Sequence, residues 1–160
     1  MSTTDTTSLR LERTFDATAD EVFDAWTNPE VLRRWWGASP TWLVPVAEVD
    51  LRVGGHYRLS MEDPDTGAVH TVRGEYREVQ RPGRLVYSWC WEEGGGGTGH
   101  ESTVTVEFLG DGERTKVVLL HTDLASAESR DQHGAGWNGC FDNLQARIFP
   151  EVQESRQAST

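Results

Sequence analysis

Trp35-Trp36 and Trp89-Cys90-Trp91 concentrate four indoles in two short stretches. Trp137 stands among three glycines in HGAGWNGCFDNLQARI, residues 133–148. An indole offers a large apolar face and a single N–H donor. Clustered tryptophans therefore either fill a core or wall an apolar cavity that takes a small molecule. Tyr57 and His133 supply polar groups able to orient such a ligand. For proton transfer the candidates are Glu48, Asp50 and His133. The ligand-contacting set read from the sequence is Trp35, Trp36, Tyr57, Trp89, Trp91, His133 and Trp137, with no catalytic set assigned.

Other chemistries find little support. His70, His100, His121 and His133 form no pair at ligand spacing with Cys, Asp or Glu on one helix face, and no H-E-x-x-H is present, so no metal and no cofactor is expected. His121, beside Thr122 and Asp123 at a strand end, reads as a structural hydrogen-bonding residue. Cys90 and Cys140 read as two buried free thiols, Cys140 packed beside Phe141 on a core-facing helix. No nucleophile-elbow motif occurs. The run EEGGGGTG (92–99) has the letters of a phosphate loop, but it joins two strands and opens no helix, so it reads as a flexible hairpin loop.

The elements that must position these residues follow from periodicity. Leu9 to Phe15 alternates as a strand. Thr18 caps a helix carrying Val22, Phe23 and Trp26, with Glu21 at capping-box spacing. Asn28 and Pro29 open a second short helix that Gly37 and Pro40 end. Strands are expected at Val46–Arg52, His56–Glu62, Val69–Val79, Leu85–Trp91, Ser102–Leu109 and Thr115–His121, separated by turn signals such as Gly54-Gly55 and DPDTG (63–67). On Leu85–Trp91 both faces are apolar, so alternation does not say which looks inward. Ser126 to Phe149 is a long helix with Trp137, Phe141, Leu144 and Ile148 on one face. Glycine in a helix interior costs roughly 1 kcal/mol against alanine. Gly134, Gly136 and Gly139 are expected to let this helix lie close to the sheet while keeping space beside Trp137. The whole reads as an α+β domain, with helices on one side of an antiparallel sheet of about seven strands.

Bulk properties narrow the partners. The 160 residues suit one domain, placed at 9–149, with polar tails at 1–8 and 150–160 expected to be flexible. A net charge of −11 argues against nucleic acid and against anionic membrane surfaces, and is compatible with a basic protein partner. No secretory leader or membrane-length apolar run is seen, so a cytoplasmic protein is expected. A homodimer is a candidate assembly for so short a domain rich in tryptophan.

FDAWTNPEVLRRWWG (23–37), DLRVGGHYRLSM (50–61), LVYSWCW (85–91) and HGAGWNGCFDNL (133–144) resemble, in order, the marks of the SRPBCC superfamily. Within it they are similar to the branch named after the activator of the heat-shock chaperone's ATPase. The resemblance implies a helix-grip, START-like fold: a curved antiparallel sheet around a long C-terminal helix, two short helices after strand one, and a cavity between sheet and helix. It implies a hydrophobic small-molecule ligand, with a chaperone-interaction module or a cyclase or hydrolase as alternatives. Trp35, Trp36, Tyr57, Trp89, Trp91 and Trp137 fall in its aromatic motifs.

Overall fold

The computed structural model describes residues 7–37, 40–92 and 100–150. The expected glycine-run loop (but for Glu92) and nearly all of both expected tails lie outside those residues. Strand β1 (Leu9–Phe15) leads into α1 (Ala19–Thr27) and α2 (Pro29–Trp35). Six strands follow: β2 (Ala47–Val49), β3 (His56–Glu62), β4 (Val69–Gln80), β5 (Arg84–Trp91), β6 (Glu101–Asp111) and β7 (Arg114–Thr122). Helix α3 (Ala127–Arg147) closes the order. The strands form one sheet in the order β1-β7-β6-β5-β4-β3-β2, every neighbouring pair antiparallel. This is the expected α+β, helix-grip-like architecture.

Local chemistry sets the helix ends. The Thr18 hydroxyl accepts the Glu21 N–H while the Glu21 carboxylate accepts the Thr18 N–H, a reciprocal cap that satisfies two otherwise orphaned donors. Asn28 ends α1 and caps α2, with Pro29 at the first position, where its missing N–H costs nothing. Ser126 caps α3 by accepting from Ser129 N–H.

Period-two patterning decides which sheet face is covered. Val104, Val106 and Phe108 of β6 and Val117 and Leu119 of β7 are buried on the helical side. Leu85, Tyr87 and Trp89 of β5 face the same way, which answers the question that alternation leaves open. Phe15, Phe23, Trp26, Trp35, Phe141 and Leu144 join them in a continuous buried cluster. Each such large side chain contributes roughly 1.5–3 kcal/mol on full burial. Helix α3 rests on β1 and α2 through this cluster.

Three expectations need correction. Strand β2 is only three residues long, not Val46–Arg52. The Val46 N–H donates to the Ser60 hydroxyl, and beyond Val49 the chain curls so that Arg52 N–H donates to the Asp50 carbonyl. Gly54 there takes φ +86°, and a Cβ on Gly55 would sit 2.1 Å from the Asp50 carbonyl oxygen. Cys90 is half-buried rather than buried; Cys140 is buried as expected. The third correction concerns the α3 glycines. A Cβ on Gly134 would meet nothing nearer than 4.0 Å, and one on Gly136 nothing within 4 Å. Close approach to the sheet does not require either glycine. Close approach belongs instead to Gly74, whose added Cβ would lie 1.9 Å from the Ser88 carbonyl oxygen and 2.7 Å from the Tyr57 ring.

Candidate ligand-binding site

A pocket of about 640 Å³ opens between the sheet and the N-terminal half of α3. The sheet contributes Met61 (β3), His70 (β4), Trp89 and Trp91 (β5) and Ser102 (β6). Helix α3 contributes Ser129, His133, Gly136, Trp137 and Cys140, successive α3 positions at helical spacing. Trp36 enters from the end of α2, Trp42 from the following loop, and Leu124 to Ser126 from the β7–α3 connection. Gly136 thus borders open space, and its missing side chain leaves volume beside Trp137.

Aromatic contacts make the wall continuous. Trp89 lies 5.0 Å from Trp137, 5.4 Å from Trp91 and 5.8 Å from Trp36, centroid to centroid. Trp36 and Trp137 meet edge to face at 5.7 Å. Trp42 stacks on His70 at 5.9 Å. These are favourable offset and edge-on geometries, each worth about 0.5–1.5 kcal/mol beyond burial.

Two histidines hold two of the indoles, and they do so in opposite tautomers. Trp91 Nε1–H donates to His133 Nε2 at 2.9 Å, so the His133 proton is on Nδ1, where it meets the Ser129 carbonyl at 2.8 Å. Trp137 Nε1–H donates to His121 Nδ1 at 3.1 Å. The His121 proton is therefore on Nε2 and donates to Ser102 Oγ at 2.7 Å, while the Ser102 hydroxyl donates to the Trp89 carbonyl. An indole is a donor only, which fixes this order. Burial, and then the neighbouring His133 ring 5.0 Å away, lower the His121 pKa to about 3. Burial also lowers that of His133, against an opposing hydrogen bond to Ser129. Both rings are neutral at pH 7, as acceptor duty toward an indole requires. Burial pushes the Cys140 thiol up to about 12, so it is a packed group and not a nucleophile.

Of the residues read from the sequence, Trp36, Trp89, Trp91, His133 and Trp137 come together on this pocket. Trp35 does not. It is wholly buried behind the wall and donates to the Ala25 carbonyl, tying α2 to α1. Tyr57 is also elsewhere. Its hydroxyl donates to the Ser88 carbonyl at 2.6 Å, where the β4–β5 ladder is interrupted opposite Gly74 and Glu75. The Ser88 hydroxyl accepts the Glu75 N–H at the same place. Tyr57 therefore sets the backbone next to Trp89 without reaching the pocket. Glu48 borders a separate depression of about 380 Å³ with Arg58, Arg73 and Glu101, and Asp50 is an exposed partner of Arg52. Of the three acid–base candidates only His133 lies at the pocket.

Ser102, Met61 and Trp42 line the pocket with no assignment from the sequence, while His121 has the structural hydrogen-bonding role expected of it, behind the wall. His121 shares the parity of Val117 and Leu119 on β7, a signal that it points inward. Trp42 stands in a loop with no periodicity to place it. Among the described residues no three His, Cys, Asp or Glu side chains group as metal ligands, and no helix is long and apolar enough to cross a membrane.

This geometry sits on a fold with many relatives. Residues 16–148 match the family described as Activator of Hsp90 ATPase homolog 1-like protein. The chain belongs to that family. No curated protein matches it. Among solved structures, a protein from Chromobacterium violaceum is 21% identical, with 91% of this chain and 99% of that chain aligned and a TM-score of 0.79, which shows the shared fold. An AHSA1 protein from Silicibacter pomeroyi is 26% identical over 87% of this chain and 95% of its own, with a TM-score of 0.76. An HSP90 activator from Plasmodium falciparum is 26% identical over 88% of this chain and 94% of its own, with a TM-score of 0.64.

Proposed function

We propose that this AHSA1-family chain binds an apolar small molecule in the pocket beside α3, with Trp36, Trp89, Trp91, His133 and Trp137 as its contacts. The observation that carries the reading is the pocket itself, about 640 Å³ with an aromatic wall. That volume lies within the range of ordinary small-molecule sites, roughly 300–1,000 Å³. Neutral His133 and the neutral His121 behind the wall add no positive charge to it. A thermal-shift screen against hydrophobic metabolites, polyketides and fatty acids tests it. Ligand at a hundred times its dissociation constant stabilises by about 2.7 kcal/mol, a readable rise in Tm. Hits that vanish when Gly136→Phe fills the pocket support the reading. Hits that survive that change, or no hits across the library, refute it.

A second reading follows from the family and from the Plasmodium falciparum HSP90 activator. In it the chain contacts a chaperone through its acidic surface, net charge −11. Stimulation of a chaperone's ATPase that fades with added salt supports it; an unchanged ATPase rate removes it.

A further inference from the structure

Helix α3 carries two interior glycines, Gly134 and Gly136, that its backbone does not require: neither has a left-handed φ. Each weakens the helix relative to alanine. They differ in what their missing side chains face. A Cβ on Gly134 would make an ordinary contact with Leu9 Cδ2 at 4.0 Å, and Gly134 lies outside the pocket lining. A Cβ on Gly136 would meet nothing within 4 Å, and Gly136 does line the pocket. Gln132, Gly136 and Cys140 succeed one another along one row of that lining, so the glycine is a notch in the middle of the helix wall. A position without Cβ is how a helix lets a ligand come close to its main chain.

The rest of the wall is stiff. Five of the lining side chains are indoles, and only Met61 and Leu124 are aliphatic groups larger than alanine. Trp89 is braced by Trp36, Trp91, Trp137 and His121, with ring centroids 5.0–5.8 Å away. Histidine bonds hold Trp91 and Trp137. Such a wall does not remould itself around a flexible chain, as one built of methionine would. An acyl chain bound there also loses its own rotational freedom, a loss that a rigid ring does not incur. The lining holds no Lys or Arg to pair with an acid group. Resting on the small-molecule reading above, we propose that Gly136 determines the specificity of the pocket. It admits the width of a rigid, uncharged ring system, which lies against the bare α3 backbone and which a single methyl group there displaces.

2-Naphthol and 1-octanol, each uncharged at pH 7 and carrying one hydroxyl, compare a ring with a chain. Binding is read from saturable shifts of the indole ¹H–¹⁵N signals, and stability from Tm, in the wild type, Gly136→Ala and Gly134→Ala. Both substitutions raise Tm, because alanine is the better helix former. The wild type and Gly134→Ala bind 2-naphthol equally well, and more tightly than 1-octanol. Gly136→Ala weakens 2-naphthol by about tenfold, the effect of one methylene in a fitted apolar pocket, and 1-octanol by less than about twofold. Unchanged 2-naphthol binding in Gly136→Ala, an equal loss of both compounds, or tighter 1-octanol binding in the wild type overturns the assignment of Gly136 while the pocket reading stands. So does the same loss in Gly134→Ala, which shows a general effect on α3. No shift of any pocket indole with either compound, up to solubility, overturns both.

Discussion

The buried His121 ring ties stability to pH, and the size of the effect can be worked out. In the folded chain its pKa is lowered to about 3, first by burial and then by the neighbouring His133; unfolded, it returns to about 6.5. Between those values the unfolded chain binds a proton that the folded chain does not, so stability is full above the unfolded pKa and falls as pH drops. Each pH unit below 6.5 costs about 1.4 kcal/mol, so the loss from His121 between pH 8 and pH 5 is about 2 kcal/mol. His133, whose pKa is also lowered, acts in the same direction. The window stops at pH 5 so that most carboxylates stay ionised. Urea unfolding followed by tryptophan fluorescence reads the effect in the wild type and in His121→Gln. At pH 8 the variant is weaker by about 1–3 kcal/mol, because the Trp137 N–H loses its acceptor. At pH 5 the gap closes by about 2 kcal/mol, because glutamine does not titrate. A gap of equal size at both pH values refutes the assignment of a neutral, buried His121.

Two sets of substitutions probe the framework around the pocket by the same unfolding measurement. Gly136→Ala places its Cβ in open space on α3 and stabilises by about 0.5–1 kcal/mol, whereas Gly74→Ala drives a Cβ onto the Ser88 carbonyl and costs more than about 2 kcal/mol. A destabilising Gly136→Ala, or a harmless Gly74→Ala, contradicts the placement of those two strands and the helix. Tyr57→Phe leaves the Ser88 carbonyl without its 2.6 Å donor and costs about 1–3 kcal/mol, with a shift in tryptophan emission as Trp89 moves; a loss below about 0.5 kcal/mol shows that the hydroxyl does not hold that strand.

Elements fixed by local chemistry are legible in the sequence. The Thr18 and Asn28 caps, Pro29, and the alternation of β1 and β3 to β7 all give the right element in the right order. The helical spacing from Trp137 to Ile148 identifies the face of α3 that enters the core. What is not legible depends on pairs distant in sequence. Nothing near Gly74 says that Tyr57 and Ser88 converge on it. Nothing near Val49 says that the Ser60 hydroxyl takes the Val46 N–H and that β2 stops so soon. The glycines of α3 suggest either close packing or a kept space, and local pattern treats the two alike. Only the positions of neighbouring elements separate them. Five of the seven named residues line the pocket: Trp89 and Trp91 share one face of β5, His133 and Trp137 one face of α3, and Trp36 reaches it from the end of α2. Trp35 has the composition of a wall residue, but it lies one position before Trp36, on the side of α2 that packs against α1.

The histidines explain how two indoles of this wall, Trp91 and Trp137, are buried without a stranded N–H. Each tryptophan brings a large apolar area together with one N–H that burial would strand. A carboxylate could accept that N–H, but in this dry wall it would carry an unpaired charge of its own. A neutral imidazole accepts on one nitrogen and passes its proton to a further acceptor on the other, so the polarity is handed outward without charge. His121 hands it to Ser102 and the β5 backbone, and His133 hands it to the Ser129 carbonyl within α3. Protonation of either ring turns the accepting nitrogen into a donor and breaks the bond to its tryptophan. The same titration that lowers stability therefore loosens Trp91 and Trp137, which makes the order of the pocket wall and the stability of the fold two readings of one proton equilibrium.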